Sequence, residues 1–167
     1  MTAHSPASRM EQRNADRLTD REIVIERLIR APRGVVWKAF MEPGHVEQWW
    51  GPDGFTTTTH ERDFTPGGIW RFTMHGPDGR DYENVIEFIE IVEPERIVHN
   101  HRGEGAEAGI RFEATMTFDD KDGGTLVTLR SVFPTAEARD LVVREYGAIE
   151  GGEQTLARLA AIVEGRA

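Results

Sequence analysis

The stretch EIVIERLIRAPRGVVWKAFMEPGHVEQWWGP, residues 22–52, changes its periodicity twice, and those changes decide the fold. Residues 22–30 are rich in β-branched side chains and place Ile23, Ile25 and Ile29 on one face, the pattern of a strand. Ala31-Pro32 stops it, and Pro32 fits the first turn of a helix, where its missing N–H is not needed. Val35, Val36, Ala39 and Phe40 then recur at helical spacing. Glu42-Pro43-Gly44 ends that helix, and residues 45–50 form a second short turn before Gly51-Pro52. A strand followed by two brief helices is the first topological clue.

Working outward, the next hundred residues read as strands. Residues 55–63 are Thr-rich, and residues 69–74 alternate with Trp70, Phe72 and Met74 on one face. Gly76-Pro77-Asp78-Gly79 has hairpin-turn chemistry, and residues 82–92 resume with Tyr82, Asn84, Ile86 and Phe88 on one face. Residues 96–101 form a further strand, and residues 103–109 a small acidic loop. Ile110, Phe112, Ala114, Met116 and Phe118 alternate with polar residues, and the turn DDKDGG leads into residues 125–133. The total is seven strands, mostly joined as a meander and therefore antiparallel.

The C-terminal end is helical. Thr135 caps a turn that begins at Ala136, and Gly147, Gly151 and Gly152 weaken the middle. Ile149, Leu156, Leu159 and Val163 form a stripe that faces the core. A one-faced antiparallel sheet and a long amphipathic helix must bury their apolar sides against each other. The expected class is α+β: a helix-grip fold, with a curved sheet of about seven strands wrapped around the C-terminal helix and two short helices closing one end. Residues 1–20 are polar and aperiodic and read as a flexible extension ahead of a domain at 21–165. Residues 10–18 have the alternative of a short docked helix.

Composition narrows the function classes. The 167 residues suit one domain, able to bury close to ~70% of its unfolded surface without a disulfide or metal staple. Asp and Glu number 29 against 20 Lys and Arg, for a net charge of −9, which argues against binding nucleic acid. Cysteine is absent, which excludes disulfides, thiolate zinc sites and a cysteine nucleophile. No run approaches a membrane span and the N-terminus lacks a signal-peptide core, so the default location is the cytoplasm. Basic residues are almost all Arg, with Lys only at 38 and 121. There is no phosphate-binding loop, nucleophile elbow or metal-spaced His motif.

Four ordered segments resemble a known family: Ala31-Pro32 with Val36-Trp37-Lys38-Ala39-Phe40; Glu47-Gln48-Trp49-Trp50-Gly51-Pro52; Pro94-Glu95-Arg96-Ile97-Val98; and the tail at residues 150–156 (EGGEQTL). Across residues 21–165 the chain is similar to the SRPBCC superfamily of START and Bet v allergen-like domains. The branch it resembles is that of the heat-shock-protein ATPase activator's C-terminal domain. The resemblance implies a cavity between sheet and helix that holds an apolar molecule in many relatives, with no universal catalytic residue and no cofactor. Two departures stand out: Asn84 where members often carry Gly, and His99 and His101 where aromatic residues are common.

The candidate ligand-binding residues are Trp49, Trp50, Trp70, Phe72, Met74, Tyr82, His99, His101, Phe112, Met116, Tyr146 and Leu156. Trp49-Trp50-Gly51-Pro52 either forms a ligand lid, or one Trp plugs the core and the other covers a helix–sheet seam. Trp70, Phe72 and Met74 either line a pocket or fill it. His99 and His101 share a strand face about 7 Å apart. They suit a polar pocket wall, an acid–base pair, a hydrogen-bonded surface pair, or a metal site completed by Glu83, His75 or Glu113. Arg71 and Arg111 fall on the solvated face. Small-molecule binding is the leading expectation, with no metal, as monomer or homodimer. The alternatives are a cyclase, dehydratase or hydrolase using His99, His101 or Tyr82, and a chaperone-associated module. The stripe Ile149, Leu156, Leu159 and Val163 is expected to form one cavity wall, and Trp70, Phe72, Met74, Phe112 and Met116 the other. Gly151 and Gly152 are expected to leave a mouth beside Trp49, Trp50 and Tyr146.

Overall fold

The structure, a computed structural model, describes residues 20–165. The extension expected at the N-terminus lies outside the described residues. Seven strands form one antiparallel sheet: β1 (Glu22–Ile29), β2 (Thr56–Arg62), β3 (Ile69–His75), β4 (Asp81–Val92), β5 (Arg96–Gly103), β6 (Arg111–Lys121) and β7 (Gly124–Val132). Strands β2 to β7 are a meander, and β1 joins its far end by pairing with β7, giving the order β1-β7-β6-β5-β4-β3-β2. Register shifts at Thr59/Glu61 and Phe88/Glu90 bend the strands, since an extra residue on one side of a ladder increases local twist. The sheet therefore curls.

Helix α1 (Arg33–Met41) and a single 3-10 turn (Val46–Gln48) cross from β1 to β2. Pro32 sits at the N-cap of α1, one position ahead of its first turn. Val36, Ala39 and Phe40 are buried as expected, but Val35 is 45% exposed and Trp37 takes the inward position. Val35, Val36, Trp37, Ala39, Phe40 and Met41 leave α1 with little polar surface, so spacing alone does not orient it. Trp37 packs edge-on against Phe118 of β6, with ring centroids 5.3 Å apart. Phe40 lies within 6.4 Å of the rings of Trp49, Trp50, Phe64, Trp70 and Phe88, forming the densest part of the core.

The helical end of the chain is two helices. Thr135 caps α2 (Ala136–Tyr146), its hydroxyl accepting from the Ala138 amide at 3.0 Å. Gly147 then adopts φ 59°, ψ 43°, a left-handed conformation that costs glycine little, and α3 (Ala148–Val163) starts in a new direction. Leu156 and Leu159 are fully buried on the predicted stripe, and Ile149 and Val163 pack at its margins. Gly152 lets α3 approach β1: a Cβ there would stand 2.9 Å from Ile25 Cγ1. Its lack of a side chain serves packing, and the expectation that it opens the mouth is corrected.

Candidate functional site

Two adjoining hollows lie between the concave face of the sheet and the α2–α3 corner. The inner one, of about 210 Å³, is walled by His99, Ala114, Leu129, Ser131 and Phe133 from the sheet and by Gly147, Gly151 and Thr155 from the helices. The outer one, of about 380 Å³, is walled by Phe55, Tyr82, Asn84, Ile110, Glu107 and Arg80. They share Pro52, Met74, His101, Phe112, Val142, Tyr146 and Ala148. The combined space is in the range of small-molecule sites.

The lip is tied down by contacts between elements. Gly51, at φ 104°, turns the chain where a Cβ would stand 2.9 Å from Met74 Cε. The Arg158 guanidinium, reaching from α3, donates to the Gly51 and Pro52 carbonyls at 2.8 and 3.0 Å. The Asp53 amide donates to Gln154 Oε1 at 3.1 Å. On the opposite rim, Arg80 Nη2 lies 2.5 Å from Glu107 Oε1, and its guanidinium sits 4.7 Å above the Tyr82 ring.

Seven of the twelve sequence candidates line the hollows: Trp50, Met74, Tyr82, His99, His101, Phe112 and Tyr146. The other five line neither. Trp49 and Trp70 have no exposed surface, and their indole N–H groups donate to the Ala39 carbonyl (2.9 Å) and the Thr59 hydroxyl (3.0 Å). Phe72 stacks on Trp70 at 3.9 Å, and Met116 and Leu156 are buried in the core. The expected walls are corrected accordingly. The helix wall is the small-residue set Ala148, Gly151 and Thr155, which precedes Leu156 and Leu159 along the inward side of α3. Sequence reasoning missed Phe55, Ile110, Phe133 and Val142, which carry no polar signature, and Glu107, which is buried against Arg80.

His99 and His101 differ in their surroundings. His99 is 1% exposed and neither ring nitrogen has a protein partner. Burial, with His101 beside it (ring centroids 6.3 Å apart), pushes its pKa down to about 3. His101 Nε2 donates to Asn84 Oδ1 at 2.9 Å, while Asn84 Nδ2 donates to the Tyr82 carbonyl at 3.0 Å. Desolvation lowers the His101 pKa to about 4. Both imidazoles are therefore neutral near pH 7. Of the suggested third metal ligands, Glu83 accepts from Thr73 at 2.7 Å, His75 pairs with Asp81 at 2.8 Å, and Glu113 is exposed on the other face of β6. Among the described residues no three His, Asp or Glu side chains converge to hold a metal.

Arg71 is held on the outer face by Glu61 and Glu104, and Arg111 is exposed. A depression along β1 and α3, walled by Val24, Glu26, Arg27 and Glu153, and another beside Glu87, Arg102 and Glu113 are charged surface features outside the sheet–helix interior.

Residues 30–164 match the model of the family described as activator of Hsp90 ATPase homolog 1-like protein. The chain belongs to that family, within the SRPBCC fold. No curated protein matches the chain. Among solved structures, the Mycobacterium smegmatis protein Ms6760 is 26% identical, with a TM-score of 0.78 over 87% of this chain and 92% of that one. An Arthrobacter aurescens protein is 24% identical, with a TM-score of 0.81 over 89% and 88%. The AHSA1 protein of Silicibacter pomeroyi shares the fold at 19% identity, with a TM-score of 0.71 over 87% and 99%. No helix among the described residues is long and apolar enough to cross a membrane.

Proposed function

We propose that this family member binds a small apolar or amphipathic molecule in the two-lobed space between the sheet and the α2–α3 corner. The observation that carries the reading is the pair of hollows itself, continuous through Met74, His101, Phe112 and Tyr146 while the rest of the interior is tightly packed. An interior of this kind normally closes up, because empty apolar volume forfeits packing energy. The Gly147 break and the small residues on α3 keep it open. The low basicity of both imidazoles favours binding over acid–base catalysis, which works best with a pKa near the operating pH.

Denaturing the purified chain and identifying released small molecules by mass spectrometry is the direct test. Ala148→Trp adds a control, since Ala148 walls both hollows and an indole there occupies the shared space. Uptake of an apolar fluorescent dye should fall at least about tenfold, a change of ~1.4 kcal/mol. Substitution of exposed Arg111 should change uptake little. Undiminished uptake in a folded Ala148→Trp protein would overturn the reading. The family description supports a second one, contact with an Hsp90-type chaperone. Absence of both ATPase stimulation and binding at tens of micromolar would end it.

A further inference from the structure

We propose that the inner hollow is a subsite for a neutral hydroxyl group carried on a flat ring system, and that His99 is the residue that reads it. This rests on the binding function above and specifies what enters.

The His99 ring forms part of the wall of the inner hollow, nearly fully buried, with Nδ1 and Nε2 both lacking a protein partner. Buried polar groups are almost always satisfied, so an orphaned imidazole on a cavity wall points to a ligand that completes it. Of the other polar groups nearby, the Ser131 hydroxyl also lines the hollow, whereas His101 and Thr155 are engaged. His101 donates to Asn84, and the Thr155 hydroxyl donates to the Gly151 carbonyl at 2.8 Å.

The walls select the class of ligand. Apart from the two histidines, no ionisable acid or base but the Tyr146 phenol lines the inner hollow, so a carboxylate or ammonium would be buried without a counter-charge. Arg80 and Glu107 line only the outer hollow and pair with each other. A neutral imidazole presents one N–H and one bare nitrogen, and a hydroxyl satisfies either, whichever tautomer is present. A carbonyl can only accept, so it pairs only with the tautomer whose N–H faces it. Trp50, Phe112 and Phe133 supply the aromatic surface on which a ring can pack.

The test measures binding of β-naphthol, β-methylnaphthalene, β-acetylnaphthalene and β-naphthoate to the full chain by tryptophan fluorescence. The expected result is β-naphthol binding about tenfold or more tighter than β-methylnaphthalene, the scale of one buried group left unpaired. The acetyl compound should gain less, and the carboxylate should bind weakest. His99→Phe should abolish the hydroxyl preference while retaining β-methylnaphthalene. In the wild-type protein, NMR should show the His99 ring nitrogens shifting with β-naphthol and not with β-methylnaphthalene, a readout independent of how the variant folds. Equal affinity for naphthol and methylnaphthalene, a preference for the carboxylate or acetyl compound, or a hydroxyl preference surviving in His99→Phe would overturn the subsite and leave the cavity standing. Binding of none of the four would overturn both.

Discussion

Replacing His99 with phenylalanine should change how stability depends on pH, and the size of the effect follows from where the ring sits. In the fold the imidazole stays neutral down to about pH 3, because burial disfavours its charged form and His101 adjoins it. In the unfolded chain it protonates below about pH 6.5. Unfolding therefore takes up a proton between these limits. The contribution is fully present above the unfolded pKa and is lost as pH falls. Each unit across that window costs about 1.4 kcal/mol, so going from about pH 6.5 to about pH 5 removes roughly 2 kcal/mol. That is a large share of a net stability of about 5–15 kcal/mol. His101 acts in the same direction over a shorter window, ending at about pH 4, and counts for less because part of its surface meets solvent at the cavity. Phe at position 99 has no proton to take up and packs among Phe88, His101 and Ala114, so it should also remove the cost of two orphaned nitrogens, about 1–3 kcal/mol. Urea midpoints for both proteins at about pH 7.5, 6 and 5 give the comparison. The variant should be at least as stable as wild type at neutral pH and lose markedly less on acidification. Parallel pH profiles would refute the reasoning, because they would mean that His99 is solvated or paired in the folded state.

Three other substitutions probe how the helices are built and seated on the sheet. Gly152→Leu forces a side chain into Ile25, 2.9 Å from the nearest Cβ position, and should lower the urea midpoint by an amount equivalent to about 1–3 kcal/mol or more. Gly34→Ala is its counterpart. No heavy atom lies within 4 Å of a Cβ there, in the first turn of α1, so the same assay should show a gain of up to about 1 kcal/mol. Thr135→Ala removes the hydroxyl that accepts from the Ala138 amide and should cost about 1 kcal/mol, with faster amide exchange in the first turn of α2.

The parts of this fold that were legible in the sequence are those governed by local chemistry. Phe112, Ala114, Met116 and Phe118 alternate in sequence and point inward in the structure, because a strand gives each residue one of two faces. Thr135 was recognisable as a cap, and the turn between β3 and β4 by its Gly-Pro-Asp-Gly order. The same parity put His99 and His101 on one face, but it could not show that β6 and α3 would cover the first more completely than the second. Nor could it separate Trp70 from Met74. Both point inward from β3, yet Trp70 lies over Phe40 and Phe64 in the closed end, while Met74 reaches the open end beside Gly51. That distinction comes from sheet curvature and from the angle at Gly147, which are properties of the assembled chain.

The cavity and the core are thus two ends of one packing arrangement. Along α3 the inward residues grow from Ala148, Gly151 and Thr155 to Leu156 and Leu159, and the facing aromatic side chains change in the opposite sense to the space left for them. Toward α1, Trp37, Phe40 and Trp49 fill the gap between helix and sheet completely. Toward Gly147, the helix brings no bulk, and Phe112, Phe133 and Tyr146 stand around the space without filling it. The imidazole of His99 sits deep on the wall of this open end, with its nitrogens unspent. Stability is concentrated where side chains are large and interdigitated, which leaves at the α2–α3 corner an open space that the core does not need for folding.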